Sequence, residues 1–161
     1  MSPASLPAHE PSVRFAPLTE AWLDRLLPIE QQAYSHPWTR GNFIDALASG
    51  YEAQLLLDAD DQLLGYFVAM VVLDEVHLLN LTVAPAHQGQ GWARVLLDAL
   101  TLWSRQRQAL WLWLEVRASN ARARAIYEKH GYQQIAERKN YYPAANGQRE
   151  HAIIMSLKLW P

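Results

Sequence analysis

Apolar positions change period several times along the chain, and each change marks an element. Leu23, Leu26, Leu27 and Glu30 fall on neighbouring turns within Thr19–Tyr34, which predicts a helix. Pro28 sits inside that span and predicts a kink or restart, because proline has no N–H to donate. Ser35-His36-Pro37-Trp38 breaks the pattern, and Thr39 is placed to cap a second helix carrying Phe43, Ile44 and Leu47 and ending near Gly50. Ser12–Ala16 reads as a short first strand. Ala53–Leu57 and Leu63–Leu73 flank the polar turn Asp58-Ala59-Asp60-Asp61 as a hairpin, and Val76–Val83 follows as another strand, closed by Ala84-Pro85. Trp92, Val95, Leu96, Ala99, Leu100 and Trp103 then recur at helical spacing, giving one buried face. Ala109–Val116 is apolar at successive positions, which predicts a central strand covered on both faces. Ser119 or Asn120 caps a short helix stopping at Gly131. Two last strands, Tyr132–Lys139 and His151–Leu159, are joined around Asn146-Gly147.

These elements make one α/β domain over residues 12–161, preceded by a loose Pro-rich leader over 1–11. Its expected core is a mixed sheet of about six to seven strands with about four helices around it. The length, 161 residues, suits a single domain. Fourteen basic against sixteen acidic residues leave a net charge of -2, with no broad basic footprint for nucleic acid. The longest apolar run, Tyr66–Leu73, falls well short of the roughly twenty residues of a membrane helix. Cysteine is absent, which excludes disulfides, thiolate catalysis and Cys-ligated zinc. Met1-Ser2-Pro3-Ala4 lacks the charged start and apolar stretch of a signal peptide, so a cytoplasmic location is expected. His9, His36, His77, His87, His130 and His151 show neither HExxH nor i, i+4 pairing, and no metal site is expected.

The chemistry concentrates in Leu81-Thr82-Val83-Ala84-Pro85-Ala86-His87-Gln88-Gly89-Gln90-Gly91-Trp92-Ala93-Arg94, where a strand runs through a Gly-rich turn into an amphipathic helix. Such a turn leaves backbone N–H groups free at the positive end of the helix, a site suited to phosphate. Gly89 and Gly91 permit positive φ and keep Cβ atoms away from an anion, and Arg94 lies one turn in. Position 94 is arginine rather than the small residue of the dinucleotide fingerprint, and the P-loop Gly-Lys-Ser/Thr is missing.

The pattern Gln88-x-x-Gly91-x-Ala93 after a strand resembles the pyrophosphate loop of the GCN5-related N-acetyltransferase (GNAT) superfamily. Ile29-Glu30-Gln31, Pro37-Trp38, Val71-Val72-Leu73-Asp74-Glu75, Leu114-Glu115-Val116-Arg117-Ala118-Ser119-Asn120, Asn140-Tyr141-Tyr142-Pro143 and Ala152-Ile153-Ile154-Met155 resemble its RimI branch. The similarity runs over about residues 13–158. Gly89 stands where that family often has arginine, and Trp92-Ala93 replaces its more usual Leu-Gly or Ile-Gly, which leaves Arg94 and the backbone to hold the phosphates. The resemblance implies acetyl-CoA as co-substrate and the N-terminal alanine of small-subunit ribosomal protein eighteen as acceptor. It also implies Gln88, Gly89, Gln90, Gly91, Trp92, Ala93 and Arg94 at the pyrophosphate. Leu81, Thr82, Val83 and Asn120 would lie on the pantetheine arm.

Acetyl transfer to an amine needs a group to accept the amine proton and another to protonate the leaving thiolate. On position alone, Glu115 at a strand end is either a solvated surface acid or a partly desolvated base. Tyr127, seven residues beyond Asn120, is either a core aromatic or a proton donor. The resemblance makes Glu115 the general base and Tyr127 the general acid. It also suggests Glu30, Asp74 and Glu75 as an acidic patch for a basic peptide, with Trp38, Tyr141 and Tyr142 against that peptide. An α-amine of pKa about 8 is roughly a quarter neutral at cytoplasmic pH, against about one lysine in a thousand, a difference above about 3 kcal/mol. A terminal amine therefore suits a carboxylate base, and a protein lysine or small-molecule amine is the alternative acceptor. With no thiol to carry an acetyl group, direct transfer in a ternary complex is expected.

Overall fold

A computed structural model describes residues 12–160; the leader expected over 1–11 lies outside them, as does Pro161. Eleven principal elements follow one another: β1 (Val13–Pro17), α1 (Leu23–Ala33), α2 (Arg40–Ala48), β2 (Glu52–Asp58), β3 (Leu63–Val72), β4 (Glu75–Val83), α3 (Trp92–Gln106), β5 (Trp111–Arg117), α4 (Ala121–His130), β6 (Gln133–Pro143) and β7 (Arg149–Lys158). The strands form one sheet in the order β1-β2-β3-β4-β5-β7-β6. All neighbours are antiparallel except β4 and β5, whose crossover carries α3.

Helices lie on both faces, but they cover different halves of the sheet. Leu23 and Leu26 of α1 and Phe43 and Ala46 of α2 bury against Leu55, Leu57, Tyr66 and Val68 of β2 and β3. On the opposite face, Leu96, Leu97 and Leu100 of α3 pack with Leu112, Leu114, Val116, Ile153 and Met155, joined by Ile126 and Tyr127 of α4. Each fully buried leucine contributes roughly 2 kcal/mol of transfer free energy, so these two faces dominate the fold's stability.

Several boundaries differ from the sequence pattern. Glu20–Trp22 is a short 3-10 turn, and α1 begins only at Leu23. The helix does not restart at Pro28. That ring lies on the exposed side, as does Asp24, whose carbonyl loses its donor to water-accessible surface. Thr39 caps α2 as expected, in a reciprocal box with Asn42. β5 is not covered on both faces: Leu112, Leu114 and Val116 are buried, while Trp111, Trp113 and Glu115 remain partly open. The reason is that α1 and α2 pack over the β1–β4 half alone. Tyr141 and Tyr142, read from sequence as loop, belong to β6, which runs on to Pro143. The Arg149 guanidinium donates to the Asn140 and Tyr141 carbonyls, and the Asn140 N–H donates to His151 Nδ1, closing the irregular end of this hairpin.

Candidate active site

Two breaks in the ladder open the centre of the sheet. β4 pairs with β5 only from Glu75↔Trp111 to Leu78↔Leu114; beyond that point the two strands part. In the same place β4 bulges. Val68 of β3 faces Asn80 and Ala69 faces Leu78, so Leu79 is an extra residue. The bulge exchanges the faces of β4. Val76 and Leu78 point towards α3, whereas Asn80 and Thr82 point towards α1, where Asn80 Nδ2 donates to Glu30 Oε1 at 2.9 Å. The Tyr34 hydroxyl donates to the Leu81 carbonyl at 2.8 Å and touches Thr82 Oγ1 at the same distance. With its carbonyl turned away from β3, Leu81 presents its N–H to the opening as well, since both groups of a strand residue point to one side.

A groove of about 1070 Å³ leads away from this opening between α3 and α4, walled by Leu81, Thr82 and Val83, the Gly turn with Trp92, and Asn120 with the Arg122, Ile126 and Tyr127 side of α4. At its far end Gly91, with φ 89°, is the N-cap of α3, and no side chain caps the free N–H groups of that helix. Gly89 is also left-handed, at 77°, and a Cβ at either position would project into open space. Gln88, Ala93 and Arg94 line this end, and Arg122 Nη1 donates to Gln88 Oε1 at 3.1 Å, tying α4 to the turn. Gln90 does not line the groove; its amide oxygen accepts from Trp92 Nε1 at 3.0 Å. Asn120 caps α4 by accepting from the Ala123 N–H, which places its amide at the groove wall.

Tyr127 enters the groove from α4 close to the opening. Burial pushes its phenol well above the usual range, with the neighbouring Tyr34 and Tyr142 hydroxyls adding to the shift. It stays protonated at any working pH. Tyr34 and Tyr142 are each pushed up to about 12, also chiefly by burial. Glu115 comes to the opening from the other face of the sheet and is not part of the groove wall. Its side chain is 31% exposed, and its Oε1 lies 3.5 Å from Arg138 Nε, so the carboxylate is ion-paired rather than desolvated. Tyr142 stands between the two candidate catalytic groups, close enough to feel the Glu115 charge and to influence Tyr127. Arg117 lies 4.6 Å over the Tyr142 ring and is itself held by Glu150 at 2.9 Å.

The expected acidic patch does not exist. Glu30 is 1% exposed and accepts from the Tyr66 hydroxyl at 2.8 Å, Asn80 and the Trp38 N–H at 3.2 Å. Burial raises its carboxyl above the ordinary range, against the pull of those three donors. Asp74 and Glu75 lie at the turn starting β4, the closed end of the strand pair, about 10 Å along the strand from the opening. Glu75 there accepts from His77 Nε2 at 3.0 Å. Trp38 packs on Phe43 with ring centres 5.1 Å apart, beside the opening through its contact with Glu30. Tyr141 is exposed, stacked edge-on against Tyr142 with Arg138 over its ring, and so does belong to the Glu115 side. Among the described residues no cluster of three or more His, Asp or Glu side chains could hold a metal, and no helix is long and apolar enough to cross a membrane.

Sequence reasoning missed Tyr34, Arg122 and Arg138. Tyr34 meets Leu81 across 47 positions of sequence, a contact no local spacing encodes. Arg122 had a usable signal: it stands in the first turn of a capped helix two residues after Asn120.

Comparison with known proteins agrees with this architecture. The acetyltransferase (GNAT) family profile matches residues 23–132. A ribosomal protein bS18-alanine N-acetyltransferase from Haemophilus ducreyi is 41% identical over 88% of this chain and 97% of its own length. The enzyme of that name from Salmonella typhimurium is 44% identical over 81% of this chain and 87% of its own. The crystal structure of the ribosomal-protein-S18-alanine N-acetyltransferase from Escherichia coli superposes with a TM-score of 0.85 at 37% identity, covering 93% of this chain and 96% of that one. The chain is thus an N-acetyltransferase of the GNAT family, and it belongs to the branch of the ribosomal protein bS18-alanine N-acetyltransferases, the RimI branch that its sequence segments resemble.

Proposed function

We propose that this enzyme uses acetyl-CoA to acetylate the α-amine of the N-terminal alanine of ribosomal protein bS18 in the cytoplasm, by direct transfer within a ternary complex. The observation carrying this reading is the opening between β4 and β5, which has Tyr127 on the groove side and Glu115 on the other face. The names of the relatives supply the acceptor. The groove suits a long, kinked, anionic co-substrate: free N–H groups, Arg94 and Arg122 stand at one end, and strand backbone and a tyrosine hydroxyl at the other.

Bound acetyl-CoA supplies a thioester whose C–S bond breaks as the amine nitrogen bonds to the acetyl carbon. Glu115 takes the proton that this nitrogen loses. Tyr127, kept protonated by burial, gives its proton to the departing sulfur. The Leu81 N–H, directed into the opening, is placed to polarise a carbonyl there. Tyr34 and the Glu30–Asn80–Thr82 chain hold β4 in the geometry that directs it.

The test is release of free CoA from acetyl-CoA with two hexapeptides as acceptors. One begins with alanine followed by basic residues; the other is N-terminally blocked and carries an internal lysine. Release with the free alanine peptide alone is expected. Release with the blocked peptide at an equal or greater rate contradicts the proposed acceptor.

A further inference from the structure

We propose that Arg138 is a specificity-determining residue: its guanidinium, held beside Glu115, makes the site select a neutral α-amine against amines that stay cationic. The proposal rests on the α-amine reading above and accounts for the preference in charge.

Arg138 belongs to β6 and Glu115 to β5, two strands with β7 between them. Arg138 and Arg117 lie opposite the same β7 residue, Ala152, and Glu115 lies opposite Ile154. A methyl group at position 152 leaves the way clear for the long side chain to cross the strand. The guanidinium sits over the Tyr141 ring, 5.1 Å from its centre, which limits its freedom and holds it near the carboxylate. Half of it remains in solvent, at 53% exposure, so the contribution to folding is small. Its effect falls on what Glu115 can attract.

The other charges around the opening give that effect its direction. Arg117 on the same face is taken up by Glu150. Glu137 lies opposite Ile153, on the other face, near His151 at 3.9 Å. Glu30 is buried behind three donors, and Asp74 and Glu75 are at the closed end of the strands. Among the described residues, the one carboxylate at the opening therefore already has a cation. A lysine ammonium or a polyamine finds no free negative charge there and must approach a guanidinium of like sign. A neutral terminal amine meets no such repulsion, and Glu115 can take its proton once the nitrogen bonds to the acetyl carbon. An acidic patch would have drawn every cationic amine to the base; this arrangement does the reverse.

The experiment compares wild type, Arg138→Gln and Arg138→Lys, measuring kcat/KM for the free alanine peptide and for the blocked lysine peptide. Arg138→Gln should shift the lysine-to-alanine ratio towards lysine by about tenfold, equivalent to about 1.4 kcal/mol. Arg138→Lys, which keeps the charge, should restore the wild-type ratio. A residue that only supported the hairpin would lower both rates together and leave the ratio alone. If wild type prefers alanine and Arg138→Gln keeps the same ratio, the filter is refuted while the acceptor stands. If wild type itself prefers lysine, both fall.

Discussion

In the proposed reaction Tyr127 and Glu115 divide the proton transfers by environment. The tyrosine is buried, flanked by the Tyr34, Tyr132 and Tyr142 phenols, and cannot ionise near neutrality; the glutamate is partly open and ion-paired. Removing the hydroxyl should therefore expose its catalytic share with little effect on folding. Tyr127→Phe is expected to lower kcat by about 100-fold, the lower end of general-acid contributions, with the acetyl-CoA dissociation constant nearly unchanged. Stopped-flow turnover with calorimetric binding measures both, and unaltered kcat would remove Tyr127 from the chemistry. The placement of both residues, late in β5 and on α4, was legible in the sequence through the Leu114–Asn120 block and the two helical turns from Asn120 to Tyr127. The side chains they meet were not. Arg138 and Tyr142 reach Glu115 through strand pairing across β7, which local sequence does not display.

At the scale of elements, Glu30 joins four pieces: α1 that carries it, the start of α2 through the Trp38 N–H, β3 through the Tyr66 hydroxyl, and the bulged half of β4 through Asn80. A carboxyl raised by burial binds its proton more tightly in the folded chain than in the unfolded one. The stability linked to that proton is complete below the ordinary carboxylate pKa and is lost as pH rises through the raised value. Glu30→Gln abolishes this dependence and turns an amide N–H₂ towards a site lined by donors, at a cost of about 1–3 kcal/mol. Thermal melts should show the variant less stable throughout, with the wild type's advantage larger near pH 4 than near pH 7. An advantage that grows with pH would contradict the buried-carboxyl account. Helix and strand periods were readable along most of the chain because one face of each element is apolar. The bulge at Leu79 was not, since its alternation of buried and open residues continues unbroken while the faces exchange. Asp74 and Glu75 were misplaced for a related reason: sequence shows that they begin a strand, and only its pairing shows which end of the pair is closed.

Across the whole molecule, the sheet is covered on one face by α3 and α4 and on the other only over its β1–β4 half. The uncovered part carries Trp111, Trp113, Glu115 and Arg138, so an acceptor can reach the opening from the face opposite the groove. In the proposed direct transfer, co-substrate and acceptor would meet through the sheet without competing for one entrance. Composition and motif order showed the α/β class and the Gly-rich turn that opens α3. The half-covered sheet was hidden by the apolar run in β5, which reads as doubly buried because two tryptophans occupy its partly open side. The proposed function requires the acetyl group to go to a terminal nitrogen. The most direct measurement is a single peptide bearing both a free N-terminal alanine and an internal lysine, incubated with enzyme and acetyl-CoA and sequenced by tandem mass spectrometry. The added acetyl is expected on the alanine nitrogen, with the lysine unmodified. Acetyl on the lysine, with the terminus free, would contradict it.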